Sequence, residues 1–587
     1  MILQELKNLA LREGLVAEPA LESKAVRWII VLDEDGTYLS LRDTLQETPL
    51  PEGKKGKPKA QAAMFSIPRR LRRSSNLVCN FLVDKSEYVL GVEPSGKRSE
   101  EYLHIRRNQF LKLIREAEQA THSPQTKAVI AFFEEDAARQ RCSAELSERG
   151  YKSNDLFTFR VGSCLLHEEV ELRQWWSDRG RKNEAARQAA LRQCLLCGDP
   201  CVPVYKHIDF EIAGGKTSGV PLVTFNSPAF EKYGLVRNDN APICNECMTA
   251  YVEGLRRLAS SRYCKASTGE SLTPQNTRIT ADTTAVYWAN IPDELVGTLA
   301  ELMYSPVKVK DLLRSPHHGR QSARALDRFY CLIISGAQGR AMVRSMHTAT
   351  LAELEANLNS FFDAIQLEGD QDAPKPLGFL LRSLVLEGKL DRLPAKLAGE
   401  VFLGVLFGKK LPRLILSAAV QRNRAEQKVT PERAALLQLY FASHRMKEVP
   451  RMSLNEESTD TAYRLGRLLA VYEKLQLRAQ GNGINRTIVD RCYGAASSRP
   501  GTVFPQIVKL SMSHIRKLDD TSSSFYQKKI EAIADGIDCF PSTLKLEEQG
   551  RFALGYYHQR QAFFRSKKDS EQTEGTTVSI NEGESNA

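Results

Sequence analysis

Four cysteines in two pairs provide the clearest chemistry in the sequence. The first pair is Cys194 and Cys197 in the segment CLLC, and the second is Cys244 and Cys247 in CNEC. Each two-residue gap lets one turn present both sulfurs to the same ion, so the four thiolates match a tetrahedral Zn²⁺ site. Because four thiolates leave no position open for water, such a zinc would be structural. The sequence therefore predicts one structural Zn²⁺ per chain, with free core cysteines as the alternative.

The distance in sequence between the two cysteine pairs indicates what kind of segment would hold the metal. The pairs are separated by 46 residues, which is longer than the gap in a short zinc finger. A zinc-ribbon-like part at about residues 190–250, with an inserted hairpin, accommodates this length.

An arginine-rich turn, RRLRRSSNLVCN, is a second candidate site. Its basic and small polar residues are Arg69, Arg70, Arg72, Arg73, Ser75, Asn76 and Asn80. Guanidinium groups fit phosphate oxygens and guanine edges, and hydroxyl and amide groups fit base edges. The pattern indicates either a nucleic-acid contact or a solvated basic loop.

The segment IAGGKTSG looks similar to a phosphate-binding loop but departs from it. A P-loop requires a glycine five residues before its Gly-Lys-Thr, and this chain has Phe210 there, so NTPase activity is not expected. Lys216, Thr217 and Ser218 can still hold a phosphate or a base edge without hydrolysis. The sequence contains neither HExxH nor GxSxG, so no catalytic residue is predicted from motifs.

Charge favours a polyanionic partner. The 587 residues include 82 Lys and Arg against 71 Asp and Glu, a net charge of +11. Without the segment 569–587, which has five acidic and no basic residues, the charge is +16. The first residues lack the pattern of a signal peptide and no window is apolar enough to span a membrane, so we expect a cytoplasmic protein with reduced thiols.

The sequence patterns of the helices and strands that would position these sites predict an α+β protein. Residues 26–43 form two β-rich runs around Asp33-Glu-Asp-Gly36, a hairpin pattern, and residues 155–162 alternate like a strand. VCNFLVD and EYVLGV also look strand-like, whereas residues 99–149 have helical spacing. From about Glu294 onward helices dominate, and Thr430 followed by Pro431 predicts a helix start.

The last helices predict a bundle with a basic exterior. In AYRLGRLLAVYEKLQLRAQG, an apolar stripe runs along one face, and Arg464, Arg467 and Arg478 lie off it. We expect an α+β domain at 1–293, a helical connecting region at 294–451, a helical bundle at 452–568, and an acidic disordered tail at 569–587.

Several segments together resemble a known family. They include RRSSNLVCNFLVDKSEYVLG, GGKTSGVPLVTFNSPAFEKYG, LVLEGKLDRLPAKLAGEVFLGVLFG, DRCYGAASSRPGTVF and LEEQGRFALGYYHQRQAFF. In this order they are similar to the large (signature) subunit of the type I-C CRISPR interference complex, Cascade, from residue 1 to about residue 564. The zinc prediction rests on cysteine spacing and not on this resemblance.

The resemblance implies a subunit without a catalytic centre of its own. It implies binding to a guide-RNA ribonucleoprotein with filament and guide-end-capping subunits, reading of the protospacer-adjacent motif (PAM) on double-stranded DNA, duplex opening and R-loop formation. It further implies recruitment of a separate helicase-nuclease. Residues 69–80 would then be a duplex-facing turn, with residues 216–219 as the second candidate, although Asn80 could instead cap its own turn.

The same resemblance gives the helical bundle a role. It would match the small subunit that lines the displaced single strand and that is also made from an internal start, here Met452 or Met446. Two other readings are a DNA-cleaving enzyme with dispersed carboxylates and a free-standing zinc-dependent nucleic-acid binder.

Overall fold

The chain forms two compact units. The structure, a computed structural model, describes residues 2–16, 21–48, 59–69, 78–185, 191–225, 227–231, 233–261, 263–265, 270–314, 327–337, 339–368, 374–446, 453–481 and 483–581. The first unit is Met1–Pro274 with Gln338–Ala341, and the second is Gln275–Ala337 with Met342–Ala587.

The first unit combines short strands with seven described helices. Its strands are β1 (Leu21–Ala25), β2 (Trp28–Leu32), β3 (Tyr38–Asp43), β4 (Gln46–Thr48), β5 (Lys59–Gln61), β6 (Met64–Pro68), β7 (Asp84–Lys85), β8 (Leu156–Val161), β9 (Cys164–Leu165), β10 (Arg192–Gln193), β11 (Pro200–Cys201), β12 (Tyr263–Cys264) and β13 (Ser271–Leu272). Its helices are α1 (Ile2–Arg12), α2 (Ser86–Val89), α3 (Glu100–Thr121), α4 (Pro124–Glu134), α5 (Asp136–Arg149), α6 (Val170–Ala185) and α7 (Asn245–Ala259).

The main sheet of this unit has the strand order β3-β2-β8-β7, with β9 added beside β8. β2 pairs with β3 as an antiparallel hairpin, which confirms the hairpin prediction, and runs parallel to β8. Both central strands are almost entirely buried because helices α3, α4 and α5 contribute to the same core. Ser99 and Ser123 cap α3 and α4 by accepting backbone hydrogen bonds.

The second unit contains a four-stranded sheet and many helices. The strand order is β14-β15-β16-β17, formed by β14 (Asn276–Arg278), β15 (Thr283–Ala289), β16 (Arg328–Ala337) and β17 (Arg340–Thr350). The helices are α8 (Glu294–Thr298), α9 (Val307–Arg314), α10 (Leu351–Ile365), α11 (Leu377–Arg382), α12 (Ala395–Phe407), α13 (Arg413–Glu426), α14 (Pro431–Ser443), α15 (Thr461–Gln480), α16 (Ile488–Ala496), α17 (Pro500–Ile515), α18 (Asp520–Ala534) and α19 (Leu546–Asn581).

One continuous hydrophobic core joins the sheet and helices of the second unit. It extends in sequence from Ile279 to Tyr557 and includes residues of α10, α12, α14, α15 and α19. Thr430 caps α14 and Pro431 occupies its first turn, as predicted.

The α+β class is confirmed, whereas several local predictions differ from the structure. EYVLGV was predicted as a strand, but Ser86–Val89 is a helical turn. Two long strands, β16 and β17, lie in the region predicted to be helical, and β14 and β15 belong to the second unit although the expected boundary followed them. Helix α19 runs to Asn581 and so takes in part of the segment 569–587, for which the sequence predicted disorder.

Candidate metal centre and nucleic-acid interface

The two cysteine pairs come together at the start of helix α7. Cys194 and Cys197 lie in the turn that follows β10, and this turn is closed by a 2.9 Å hydrogen bond from the Gly198 N–H to the Cys194 carbonyl. Cys244 is the N-cap of α7, and Cys247 lies in its first turn. The four Sγ atoms lie within 4.8 Å of one another, so the set can hold one metal ion.

The distances fit a tetrahedral thiolate site. The Sγ atoms of Cys197 and Cys244 are 3.9 Å apart. A tetrahedral ion with Zn–S bonds of about 2.3 Å places its sulfurs about 3.8 Å apart, whereas a disulfide would need about 2 Å. Among the described residues, this is the one group of three or more His, Cys, Asp and Glu side chains close enough to share an ion.

Backbone amides in the two cysteine pairs stabilise negative charge on the sulfurs. The Cys244 N–H donates to the Cys194 Sγ at 3.3 Å, and the Cys247 N–H donates to the Cys244 Sγ at 3.4 Å. Burial raises the pKa of the Cys194 thiol, but hydrogen bonds from three backbone amides outweigh it and bring the pKa to about 6. The site thus offers one thiolate readily at neutral pH, and metal binding would displace the remaining protons.

A lysine that the sequence did not indicate also contacts the cysteines. Lys7 on α1 donates through its Nζ to the Cys247 Sγ at 3.2 Å. The two residues are 240 positions apart in the chain, so no local motif could relate them. The one available signal was the amphipathic pattern of the first twelve residues, which predicts a helix docked on the core.

The arginine-rich turn falls mostly outside the described residues. Arg70, Arg72, Arg73, Ser75 and Asn76 all lie there, and their proposed contacts remain predictions. Arg69 is described, and its Nη2 donates to the Leu21 carbonyl oxygen at 2.9 Å. Arg69 is therefore engaged by the protein itself, against strand β1.

Asn80 has a structural role that accounts for its side chain. It is 5% exposed, and its backbone N–H and Nδ2 donate to the carboxylate of Asp84 at 2.8 and 3.3 Å. Asp84 is completely buried, so Asn80 supplies hydrogen bonds that this carboxylate requires. The prediction that Asn80 reaches a DNA base edge does not fit this placement, and its alternative role as a cap does.

The Gly-Lys-Thr segment forms an exposed loop with a fixed base. Phe210 and Val220 pair through two backbone hydrogen bonds of 3.0 Å, and Gly219 donates to the Lys216 carbonyl at 2.9 Å. Lys216, Thr217 and Ser218 are all exposed at the tip. The loop therefore presents one cation and two hydroxyl groups to solvent, and the paired residues at its two ends hold it in place. Such an arrangement suits a contact with a phosphate or with the edge of a DNA groove.

The three arginines of α15 have different surroundings. Arg467 is 3% exposed, and it donates to Gln559 Oε1 at 3.1 Å and to the carbonyl oxygens of Asn455 and Glu456. Arg464 is half-buried and donates to the carbonyls of Ser458 and Ile533. Only Arg478 is exposed, so the predicted DNA contact fits Arg478 and does not fit Arg467 or Arg464.

Comparison with known proteins indicates a family. A family model described as CRISPR-associated protein (Cas_Csd1) matches residues 3–564. No curated protein matches the sequence. In the described part of the chain, every helix is too short or too polar to cross a membrane.

Proposed function

Because the chain belongs to the Cas_Csd1 family of CRISPR-associated proteins, we propose that it is the non-catalytic large subunit of a type I-C RNA-guided complex, Cascade. The family match over nearly the whole chain carries this proposal. In such a complex, base pairing with the guide RNA selects the target, and the protein reads a short PAM and the shape of the backbone.

The proposed roles follow the course of target binding. The subunit joins the guide-RNA filament, binds the PAM on double-stranded DNA, begins R-loop formation and helps recruit a helicase-nuclease in trans. A small subunit made from an internal start would share the fold of the C-terminal helices. The complex would work in the cytoplasm, where invading DNA is found.

Two elements are candidates for the PAM contact. The loop of Lys216, Thr217 and Ser218 is supported by its exposure and by the paired base that holds it. Residues 70–76 are supported by their composition alone. In either element, a lysine or arginine on phosphate would supply sequence-independent affinity, and a hydroxyl or amide on a base edge would supply discrimination.

The test is binding of the assembled complex to a library of flanking motifs at several salt concentrations. Lys216→Ala should weaken binding to all motifs alike and lower the salt slope by about 0.9 for one lost phosphate contact. Ser218→Ala should instead reduce the difference in binding affinity between correct and incorrect motifs. Lys112→Ala, at an exposed position of α3, is the matched control.

The outcomes separate the two elements. If Lys216→Ala and Ser218→Ala leave affinity, slope and motif ranking unchanged, the 216–218 loop is not the DNA reader, and Arg72→Ala with Arg73→Ala tests the other element. Asn80→Ala should lower stability without altering motif ranking, because its partner is Asp84. DNA cleavage by the purified chain with Mg²⁺, abolished by a carboxylate substitution, would contradict a non-catalytic subunit.

We also propose that the four cysteines hold one structural Zn²⁺. The sulfur separations and the amide hydrogen bonds support this. Purified protein should carry about one equivalent of zinc, and Cys247→Ser should destabilise the first unit, since metal binding contributes directly to folding. Metal-free protein that melts like metal-loaded protein would contradict the proposal.

A further inference from the structure

Helix α1 contacts the metal centre through the charged side chain of Lys7. The Nζ of Lys7 lies 3.2 Å from the Sγ of Cys247, which is itself 2% exposed. Four thiolates around one divalent cation carry a net charge of −2, and an ammonium group that donates to one sulfur offsets half of that charge.

The rest of α1 is held closely on α7, so this contact is part of a docked interface. A Cβ at Gly254 would lie 2.3 Å from the Leu6 carbonyl oxygen, which shows that the two backbones touch. The Arg257 Nε lies 3.1 Å from a carboxylate oxygen of Glu13, the residue directly after α1, and Leu6 is completely buried. Lys7 therefore reaches Cys247 from a backbone whose position is fixed by these neighbours.

We infer that Lys7 is a positioning residue for the metal centre and that metal binding and docking of helix α1 stabilise each other. The bound metal fixes the Cys247 sulfur beside Lys7 within a thiolate cluster of net charge −2, the cluster attracts the Lys7 ammonium, and Lys7 links α1 to α7. Loss of the metal frees the Cys247 side chain from this position and weakens the docking of α1. This inference rests on the proposed metal centre but goes beyond it, because Lys7 is not a ligand.

The experiment uses the full chain loaded with Co²⁺, whose thiolate absorption reports the ligand set. Lys7→Met should raise the Kd for Co²⁺ in competition with a chelator by about 10- to 100-fold, a typical effect of removing a partner of a metal ligand. Lys7→Arg keeps the positive charge, so its Kd for Co²⁺ should rise less than that of Lys7→Met. Lys112→Met, at an exposed position of α3, should bind Co²⁺ like the wild type.

A second measurement does not depend on any variant. Hydrogen exchange of residues 2–12 should become faster when a chelator removes the metal from wild-type protein, while the amides of β2 and β8 should change less. In Lys7→Met, exchange of residues 2–12 should depend less on the metal.

The results separate this inference from the metal proposal. A wild-type chain that binds no metal would overturn both. Metal-loaded wild type with equal Co²⁺ affinity in Lys7→Met and Lys112→Met would overturn the role of Lys7 and leave the zinc proposal standing. Exchange of residues 2–12 that is the same with and without metal would overturn the coupling to α1.

Discussion

At the scale of single residues, a buried hydrogen-bond chain links three helices of the second unit. Tyr463 on α15 donates to His558 Nδ1 at 3.0 Å, and His558 on α19 donates through Nε2 to Gln438 Oε1 on α14 at 3.2 Å. The Asn455 N–H donates to the Tyr463 hydroxyl oxygen, which leaves the tyrosine proton for His558. This network uses the neutral imidazole, and burial lowers the pKa of His558 to about 4.

We predict that this histidine makes the second unit less stable in mild acid. The unfolded chain takes up a proton at an ordinary pKa of about 6.5, whereas the folded chain resists protonation until about pH 4. The contribution of His558 to the free energy of unfolding is therefore fully present above pH 6.5. It falls by up to about 3 kcal/mol as the pH drops towards 4. Urea unfolding at a series of pH values measures the loss.

The control variants show whether His558 is responsible. His558→Gln removes this titrating group and should reduce the pH dependence, to which His347 and His514 also contribute, although it lowers stability at pH 7. His104→Gln, at an exposed position of α3, should keep the wild-type profile. An unchanged pH dependence in His558→Gln would contradict the prediction.

Single residues were predictable from the sequence only where their partners are local. Cys194 with Cys197, and Cys244 with Cys247, share one turn each, so their spacing alone indicated a metal site. Arg467 lies off the apolar stripe of α15, yet its partner Gln559 is 92 residues away and covers that face. A helical pattern shows which face is polar, and it does not show whether a distant helix will bury that face.

At the scale of elements, helices α15 and α19 cross with their backbones in contact. A Cβ at Gly466 would lie 2.0 Å from the Phe552 carbonyl oxygen, and one at Gly555 would lie 2.0 Å from the Tyr463 carbonyl oxygen. Both glycines are therefore required by close approach, because any side chain would push the helices apart.

We predict that Gly466→Ala or Gly555→Ala destabilises the second unit by about 3 kcal/mol or more, since the clash is with backbone that cannot give way. Gly399→Ala is the matched control, because it lies in helix α12 and its Cβ would meet nothing within 4 Å. That change should stabilise by up to about 1 kcal/mol through helix propensity. Thermal unfolding of the three variants measures this, and equal effects at Gly399 and Gly466 would contradict the close crossing.

The end of α15, the turn that follows it and the start of α16 present exposed basic residues that suit a displaced single strand. We predict that replacing Arg478, Arg486 and Arg491 with alanine weakens single-stranded DNA binding and lowers the salt slope by about 0.7 for each lost contact. All three side chains are exposed. Salt-dependent binding of the assembled complex to single-stranded DNA measures the effect.

The matched control removes the same charge elsewhere in the second unit. Lys389, Arg392 and Lys396 are exposed and each has an acidic partner, Glu387 or Glu400, within 4.0 Å. Their triple alanine variant should bind single strands nearly as the wild type does. An equal loss in the two triple variants would indicate a general charge effect and contradict a specific path at Arg478.

Elements were predictable where one face is buried and the other is exposed. Strand β3 and helix α3 show that alternation in their sequences, whereas β2 is a continuous apolar run and was predicted from the Asp33–Gly36 turn that joins it to β3. Strand β16 does not, because residues 329–335 are all buried and those from 329 to 334 form a continuous run of mainly apolar side chains. Ser86–Val89 has only four residues, and a run that short cannot distinguish a helical period from a strand.

At the scale of the whole molecule, the core of the second unit crosses the expected boundary at residues 451/452. Gly550 of α19 packs against Leu416 and Phe441, and the Gly494 N–H donates to Gln427 Oε1 at 3.0 Å. Helices α15 to α19 therefore share their core with α13 and α14. In the proposed small subunit made from an internal start, this shared face would have to be covered by another subunit of the complex.

We predict that a fragment of residues 453–568 self-associates or aggregates, whereas residues 275–568 form a monomer, because only the longer fragment covers the shared face. Analytical ultracentrifugation of both fragments measures this. Leu554 is completely buried on α19. Leu554→Ala should therefore lower the stability of the longer fragment, which would show that α19 is packed in its core. A monomeric, cooperatively folded fragment of residues 453–568 would contradict the prediction.

The packing of helix α1 on α7 has a consequence for the chain as it is synthesised. Helix α1 is translated before α7, and Cys247, its contact at the metal centre, follows 240 residues after Lys7. At typical elongation rates of about 5–20 residues per second, Leu6, Leu9 and Ala10 would wait roughly 12–50 s before α7 emerges from the ribosome to cover them. During that interval the first helix is an uncovered apolar segment on a nascent chain, available to chaperones before it can reach its place in the first unit.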